Sequence, residues 1–493
     1  MSVEPSTTRW RGVAGDLPWV ASVGFIALLA LAVGTSGLVI TRVTPESMPV
    51  VLSLLLLGIV VAPPLAAALR RRLDVFEPIY VVLAFIALQF PVQAIYVALV
   101  HNYDRPPVVG HERWLELINR SLLLAIAGTL VFIVGYYVPR RAAATAARAL
   151  PLPRGEWDGG SLAPILMVLT AIGLAAFYYF MDRVGGLRYF VENLYRHNEL
   201  ARGRYYILWT FQLLPLASLA WFAHLARRNG RALNSLLFWM HFAVANALTL
   251  SLGGRGQVLY LWEVLLVIYH YRVRRISMKA IAVFFVVATT FLFVVGSYRR
   301  STADGAGTTF SLALSPTAAA DEVLYYDYSS LDIMVLLLDR VPDEVPLRWG
   351  RSFLDVVVLP VPRSVYPDKP APLNTWYNQQ LFGAERSGKK ASILGEGFVN
   401  FYVPGVLLLM LAYGFAARTF YTSLQLSDFG PGAVLVYALL YKFIWSLSGG
   451  GFGEISFELL MRLVPVLVII YFVRRRVPHR PAVATRVAPA RPR

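Results

Sequence analysis

The 493-residue sequence contains no cysteine and only seven histidines. The absence of cysteine excludes disulfides, thiolate metal sites and a cysteine nucleophile, and it leaves the redox compartment undetermined. Charged residues make up 15% of the chain and hydrophobic residues 57%, whereas a soluble globular protein carries about 25% and 45–50%. This balance excludes a soluble domain and indicates a polytopic membrane protein, because a bilayer-spanning helix needs about 20 apolar residues.

Apolar runs of about 20 residues, bounded by charge, predict an all-α protein with about twelve transmembrane helices. The runs are 19–40, 50–69, 79–100, 121–138, 161–181, 206–226, 233–252, 257–271, 280–296, 395–417, 431–448 and 455–473. The first run is too long for a cleavable signal peptide and further spans follow it, so we expect it to stay in the chain as a helix.

The arginines predict the orientation, because cytoplasmic loops retain Lys and Arg. Alternate connections are basic, at 70–72, 140–154, 227–231 and 272–279. Both termini are therefore expected inside the cell, and the net charge of +17 faces the anionic inner leaflet. No nucleic-acid partner is needed to explain this charge.

This topology divides the chain into seven segments. They are a cytoplasmic N-terminus at 1–18, a membrane region of five spans at 19–181, an outer Arg-rich amphipathic loop at 182–205, a membrane region of four spans at 206–296, a large outer loop with short helices at 297–394, a membrane region of three spans at 395–473, and a basic disordered tail at 474–493.

Three outer positions carry charge that topology does not explain. The 182–205 loop holds five arginines, and the spacing over 187–200 predicts one amphipathic helix at the interface, which is either a solvated helix with snorkelling arginines or part of a site. The Gly-Arg-Gly turn at 254–256 suits an anion but is also a common helix cap. At 297–300, Ser-Tyr-Arg-Arg follows a span, where tyrosine and arginine usually serve as an interfacial anchor.

The large outer loop has a helix-like stretch to about Leu338 with acidic residues at its N-terminal end, which the helix dipole favours. Trp376 and Tyr377 present aromatic faces that could stack on sugar rings or form an interfacial belt. Glu396 and Asn400 then stand where the next span opens, and polar groups at such depth are costly and often functional.

Four ionisable residues fall inside predicted spans, namely Glu263, Lys442, Glu458 and Arg462. Glu458 and Arg462 are four residues apart on one helix face, which predicts a structural ion pair. A proton relay is the alternative for this set.

The combination of these features resembles the O-antigen polymerase family, also called oligosaccharide repeat unit polymerases, and more loosely the related O-antigen ligases. The features are the 254–256 turn, the basic loop at 272–279, Tyr298-Arg299-Arg300 at a helix exit, the large outer loop, and Gly395-Glu396-Gly397 with Asn400. The resemblance covers about 183–413. It implies a glycosyltransferase of GT-C-like architecture in the bacterial plasma (inner) membrane, with its active site on the outer face.

The reaction implied by the resemblance moves a glycan from undecaprenyl pyrophosphate to the non-reducing end of another lipid-linked unit. It needs a cationic cradle for the departing pyrophosphate, since arginine binds phosphate oxygens bidentately, and a base near the acceptor hydroxyl. The expected base is one of Glu396, His197 and Glu199. The expected cradle and substrate contacts are Arg255, Arg299, Arg300, Arg188, Arg196, Arg183, Asn400 and Tyr298.

The implied partners are undecaprenyl-pyrophosphate-linked oligosaccharides, the lipid bilayer, a chain-length regulator and a flippase, with no cofactor, metal or nucleic acid. An O-antigen-type ligase is the nearest alternative. A lipid-linked oligosaccharide flippase or transporter would share the spans and the carrier. An enzyme using polyprenyl monophosphate sugars would be expected to show an acidic pair in the first outer loop, which offers only Glu46.

Overall fold

The computed structural model describes residues 46–100, 110–201, 203–226, 235–303, 330–361, 365–383 and 390–473, apart from the side chains of 195, 197, 198 and 297–303. The predicted first span and both terminal segments lie outside the described residues.

Helices dominate the described residues, because the apolar runs satisfy their backbone polar groups internally, as a bilayer requires. In chain order they are α1 (Met48–Leu69), α2 (Pro78–Val100), α3 (His111–Tyr137), α4 (Arg140–Ala149), α5 (Gly159–Val184), α6 (Leu187–Glu192), α7 (His197–Leu200), α8 (Tyr205–Leu225), α9 (Leu236–Ser251), α10 (Arg255–Arg272), α11 (Met278–Ala303), α12 (Ser330–Arg340), α13 (Arg351–Val358), α14 (Leu373–Phe382), α15 (Ile393–Gln425), α16 (Pro431–Leu447) and α17 (Phe452–Val473).

Eight of the described helices are long and apolar enough to cross a membrane, namely α1, α2, α3, α5, α8, the Met278–Gly296 part of α11, α15 and α17. Helices α9 and α16 are shorter and apolar. Together with α10, these helices stand at every predicted span from the second to the last. The protein is therefore an all-helical polytopic membrane protein in its described part, and the count of about twelve spans stays a prediction.

The fourth predicted span begins too late. Helix α3 starts at His111, ten residues before the predicted start, because its charged first turns are helical and pair along the helix. Glu116 bonds Arg113 and Arg120 at three- and four-residue spacing, and Arg113 also reaches Asp339 at 3.2 Å. Charged residues at this spacing support a helix rather than end it.

The single interfacial helix predicted over 187–200 is also wrong. The structure has α6, a 3-10 turn at Leu194–Arg196 and the four-residue α7 in its place. Asn193 interrupts the run, since its side-chain amide donates to the carbonyl of Tyr189 at 2.9 Å. Such local bonds offer the backbone an alternative to continued helix. The preceding span is longer than predicted and ends at Val184, before Gly185 in the left-handed conformation.

Helix α15 is bent sharply near its start. Phe401 and Tyr402 have non-helical backbone angles and Pro404 follows, a residue whose ring disfavours a continuous helix. A Cβ atom on Gly405 would lie 2.3 Å from the carbonyl oxygen of Gly397. The first two turns of α15 therefore fold back against the rest of the helix.

The connections gather at two ends of the helical bundle. We call the end formed by 70–77, 138–158, 272–277 and 426–430 the basic end, where Arg272 bonds Glu156 and Asp428 bonds the Gly155 backbone. We call the end formed by 182–204, 330–383 and 448–452 the loop end, where Tyr206 bonds the Pro360 carbonyl. Among the described residues, the predicted inner connections 70–77, 138–158, 272–277 and 426–430 thus lie together, and the predicted outer segments named above lie at the other end.

Candidate functional site

The buried carboxylate Glu396 organises the loop end. Its Oε1 accepts a hydrogen bond from the Ser352 hydroxyl of α13 at 2.8 Å. Its Oε2 accepts the backbone N–H groups of Gly451 and Phe452, each at 2.9 Å. Glu396 is only 1% exposed, so this carboxylate fastens the turn between α16 and α17 to the bent start of α15.

Asn400 extends the same network one turn further along α15. Its side-chain amide donates to the Ser352 hydroxyl at 2.8 Å, and its side-chain oxygen accepts from the Gly350 backbone N–H at 2.8 Å. Asn400 is fully buried. The structure thus brings the two predicted residues Glu396 and Asn400 together, in contacts with protein groups that position α13.

The turn at 448–452 depends on glycine. Gly450 and Gly451 have positive φ angles of 76° and 85°. A Cβ atom on Gly450 would lie 2.1 Å from the carbonyl oxygen of Ala391. Only glycine allows the two backbone segments to come this close. The backbone N–H of Gly451 can then reach Glu396.

A second buried pair, Arg348 and Asp355, lies beside this network. Arg348 Nη2 is 3.9 Å from Asp355 Oδ1, and the guanidinium lies over the Trp376 ring with its carbon 4.8 Å from the ring centre. Within the described part of the chain, Arg348 Nε and Asp355 Oδ2 have no hydrogen-bond partner. Native proteins seldom leave buried polar atoms unsatisfied, so these atoms mark a place where a polar ligand could bind.

Burial raises the pKa of Asp355 to about 6, against the opposing charge of Arg348. A carboxyl with this pKa is largely ionised at neutral pH and remains a better proton acceptor than an ordinary aspartate. This is the combination that a general base requires.

Further charges border the pair. The Asn374 amide of α14 donates to Glu454 at 2.6 Å. Lys390 is exposed just before α15, and its charge acts on both Glu454 and Glu458. The loop end therefore places a solvent-facing cation near half-buried carboxyl groups.

A charge cluster within the helices lies below the 448–452 turn, and we call it the intramembrane cluster. It consists of Glu263 of α10, Lys442 of α16, and Glu458 and Arg462 of α17. Lys442 bonds the Ser446 hydroxyl, and Glu263 accepts from the indole of Trp445. The predicted ion pair between Glu458 and Arg462 is confirmed.

Three members of the intramembrane cluster, Lys442, Glu458 and Arg462, line a cavity of about 10 Å³. A polar cavity of this size holds about one water molecule. Arg462 also bonds the side-chain oxygen of Gln257 at 2.8 Å, and its guanidinium carbon lies 4.2 Å from the Tyr260 ring centre. The arginine therefore joins α17 to the first turns of α10.

Arg255 opens α10 directly after the turn that Gly253 makes at a positive φ of 75°. Its guanidinium donates to the Leu292 carbonyl of α11 at 3.0 Å. The turn predicted at 254–256 lies slightly earlier, at 252–254, because Arg255 and Gly256 already belong to α10, and Arg255 joins two helices there. Gln257, two residues on, is the residue that reaches Arg462.

The other predicted arginines lie along the 182–204 connection. Arg188 pairs with Glu192 at 2.9 Å and its side chain is 91% exposed, while Arg196 pairs with Glu199 at 3.0 Å. Arg183 lies over the Tyr179 ring. These arginines contact neighbours in their own sequence segment, and the proposed base Glu199 is one of those partners.

The 182–204 connection nonetheless lies next to elements that carry other predicted or observed site residues. Its Leu194–Arg196 turn contacts α11, the helix that carries Tyr298, Arg299 and Arg300. Trp209 of α8 packs on Arg462, with the guanidinium carbon 5.9 Å from the ring centre. The side chains of His197, Tyr298, Arg299 and Arg300 lie outside the described residues, so their roles stay predictions.

The residues that sequence reasoning missed are Arg348, Asp355, Asn374, Lys390 and Glu454. Asn374 and Lys390 act on Glu454, which is distant in sequence, and the seven-residue spacing of Arg348 and Asp355 is not one that a continuous helix would bring together. The available signal was the glycine run at 449–451 followed by Glu454 between two apolar spans.

No protein-family model, curated protein or solved structure matches this chain.

Proposed function

We propose that the protein is a membrane glycosyltransferase that polymerises lipid-linked oligosaccharide repeat units at the outer leaflet of the bacterial plasma membrane. The observation that supports this most is the buried Arg348–Asp355 pair at the loop end, with unsatisfied polar atoms on both side chains. A carboxylate beside a fixed cation, at the end of apolar helices, suits a substrate that is part sugar and part lipid.

In the proposed reaction Asp355 accepts the proton of the acceptor sugar hydroxyl. The hydroxyl oxygen bonds to the anomeric carbon of the donor glycan, and the bond from that carbon to the pyrophosphate oxygen breaks. The pyrophosphate leaves with the electron pair on its carrier lipid. Fixed cations stabilise such a leaving group as its charge forms.

The cations available for the pyrophosphate are Arg348 and Lys390, with the predicted set Arg183, Arg188, Arg196, Arg255, Arg299 and Arg300 around the same end. Glu396 and Asn400 act in this proposal as positioning residues, because their polar atoms already hold α13 and the 448–452 turn. This reassigns the base from the predicted candidates Glu396, His197 and Glu199 to Asp355. The Trp376 ring, which stacks on Arg348, keeps that guanidinium in place.

The reaction requires undecaprenyl-pyrophosphate-linked oligosaccharides as both donor and acceptor. The carrier tails would stay in the bilayer beside the apolar helices. We expect a flippase to supply the units and a separate chain-length regulator to act with the enzyme.

A lipid-linked oligosaccharide flippase is the second candidate, and the intramembrane cluster favours it. Its four ionisable side chains come from three helices, and three of them, Lys442, Glu458 and Arg462, line a small cavity. Ionisable residues inside a bundle often mark transport or proton pathways. In this case the Arg348–Asp355 pair would bind the glycan without catalysing transfer.

Deleting the gene and analysing the surface polysaccharide and lipid-linked pool on a size-resolving gel tests the proposal. We expect the polymer ladder to disappear and single repeat units to accumulate on the carrier, accessible from outside. Finished polymer on the carrier would indicate a ligase instead, and units trapped inside would indicate a flippase. Complementation with Asp355→Asn should reproduce the deletion, and complementation with the exposed-site control Asp368→Asn should restore the ladder.

A further inference from the structure

A cavity of about 370 Å³ opens at the basic end, far in the fold from the loop-end residues described above. It lies between α4, the segment that follows α4, and the end of α15. Pockets for small molecules have volumes of roughly 300–1,000 Å³. The cavity is thus large enough for a headgroup rather than for water alone.

The polar lining of this cavity is cationic. Arg148 and Arg154 line it together with two serines, and no carboxylate contributes to its wall among the described residues. Neither arginine forms an ion pair with a described residue, whereas the nearby Arg272 pairs with Glu156. Two arginines facing one cavity without a carboxylate suit an anion, because guanidinium groups bind phosphate oxygens in fork geometry.

The rest of the lining is apolar, and part of it is exposed. Leu426 lines the cavity where the long helix α15 ends, and its side chain is 43% exposed. Leu150 and Val138 flank α4 and are 61% and 69% exposed. Exposed apolar side chains next to arginines, at the ends of membrane helices, are typical of the headgroup level of a bilayer.

Helix α4 is a short helix rich in alanine and arginine at the basic end. Its alanines Ala143 and Ala147 are buried, and the helix packs on α15. Its arginines lie at its two ends, and the Arg140 guanidinium donates a hydrogen bond to the Tyr137 carbonyl. Arg148 therefore stands in the last turn of a helix whose buried face packs against α15.

We propose that this cavity binds the phosphate headgroup of an anionic phospholipid, with Arg148 and Arg154 on the phosphate and Leu426 against the first part of an acyl chain. The exposed apolar side chain of Leu426 in the lining, with exposed Leu150 and Val138 nearby, is the reason for choosing a lipid over a free phosphate compound. This site is separate from the proposed glycan chemistry, and its occupancy does not depend on that function.

Native mass spectrometry of the purified protein with added phosphatidylglycerol tests the assignment, with phosphatidylcholine as the neutral comparison. The variant is Arg148→Gln with Arg154→Gln, and the matched control is Arg72→Gln with Arg141→Gln, two exposed arginines of the same end that do not line the cavity. We expect the cavity variant to bind phosphatidylglycerol about tenfold less than wild type, and the control to match wild type. Binding of phosphatidylcholine should be weak and equal in all three proteins.

An equal loss of phosphatidylglycerol binding in the control variant would overturn the proposal. It would show that the overall positive charge of this end, and not the cavity, attracts the lipid. Displacement of the lipid by millimolar inorganic phosphate would overturn the lipid assignment and indicate a free phosphate compound. If the double variant unfolds, the single variants Arg148→Gln and Arg154→Gln replace it. Each single variant should then reduce binding of phosphatidylglycerol by severalfold, and wild-type binding in both would contradict the proposal.

Discussion

Asp355 is the single residue on which the proposed chemistry depends most. A general base contributes about 10²–10⁴-fold to rate, so Asp355→Asn should lower polymer formation by that factor at unchanged protein abundance. The exposed Asp368→Asn is the matched control and should leave the rate unchanged. Half or more of wild-type activity in the Asp355 variant would exclude it as the base.

The pH dependence of activity gives a separate test of the same residue. Burial raises the pKa of Asp355 to about 6, and the base acts in its ionised form. Polymer formation in isolated membranes should therefore rise with pH through about 6 and then level off. A rate that is flat from pH 5 to 8 would contradict the assignment.

Asp74, at the basic end, contributes to stability rather than to the proposed chemistry. It accepts hydrogen bonds from Arg275 at 2.8 Å and from Tyr271 and Tyr421 at 3.0 Å, and it lies 3.1 Å from His270. Although burial opposes ionisation, the bond with His270 and the charge of Arg275 hold the pKa of Asp74 at about 2. Its stabilising contribution is thus present above pH 4 and is lost as the pH falls toward 2.

Asp74→Asn should destabilise the protein by about 2 kcal/mol, since the folded state then loses the interactions that hold the pKa of Asp74 below its ordinary value, and each pKa unit corresponds to about 1.4 kcal/mol. The control variant Asp343→Asn changes an exposed carboxylate at the loop end. It should leave the free energy of unfolding nearly unchanged. Thermal unfolding of both variants in detergent measures the difference. Equal unfolding midpoints would show that the Asp74 network contributes nothing to stability.

Among the helices, the pair α3 and α15 depends on small residues at its crossing. A Cβ atom on Gly414 would lie 2.2 Å from the Phe132 carbonyl oxygen, and one on Gly135 would lie 2.3 Å from the Leu411 carbonyl oxygen. Small residues of this kind let membrane helices approach closely. The backbone of each helix thus occupies the space that a side chain on the other would need.

Gly414→Ala should therefore destabilise the bundle by about 1–3 kcal/mol or more, the usual cost of overpacking. Gly256→Ala is the matched control, because nothing lies within 4 Å of its added Cβ atom. Thermal unfolding and membrane abundance of the two variants are the measurements. An unchanged midpoint for Gly414→Ala would mean that α3 and α15 can separate at no cost.

How much the sequence predicts differs between elements for physical reasons. Apolar runs predict where the long helices lie, because hydrophobicity is a property of each local segment. Helical spacing predicts the Glu458–Arg462 pair. The sequence predicts the start of α3 too late, because charged residues between apolar runs are typical of a loop. In the structure Glu116 pairs with Arg113 and Arg120 along the helix. The contact of Arg348 with Asp355 was not predictable, since it depends on how the outer segment folds over α15.

At the scale of the whole molecule, the two ends should face opposite sides of the membrane. The chain has no cysteine, so single introduced cysteines report accessibility without background. Asp343→Cys at the loop end should react with an impermeant maleimide in intact cells. Arg141→Cys at the basic end should react only after the membrane is opened. The reverse pattern would place the proposed site on the cytoplasmic side.

The most direct test of the central claim uses the purified protein in liposomes with undecaprenyl-pyrophosphate-linked repeat units as the sole sugar source. The account predicts a ladder of glycans, with one undecaprenyl pyrophosphate released for each bond formed and none with the Asp355→Asn variant. Wild-type protein that makes no ladder but carries the labelled unit to the opposite leaflet would contradict the account and identify a flippase.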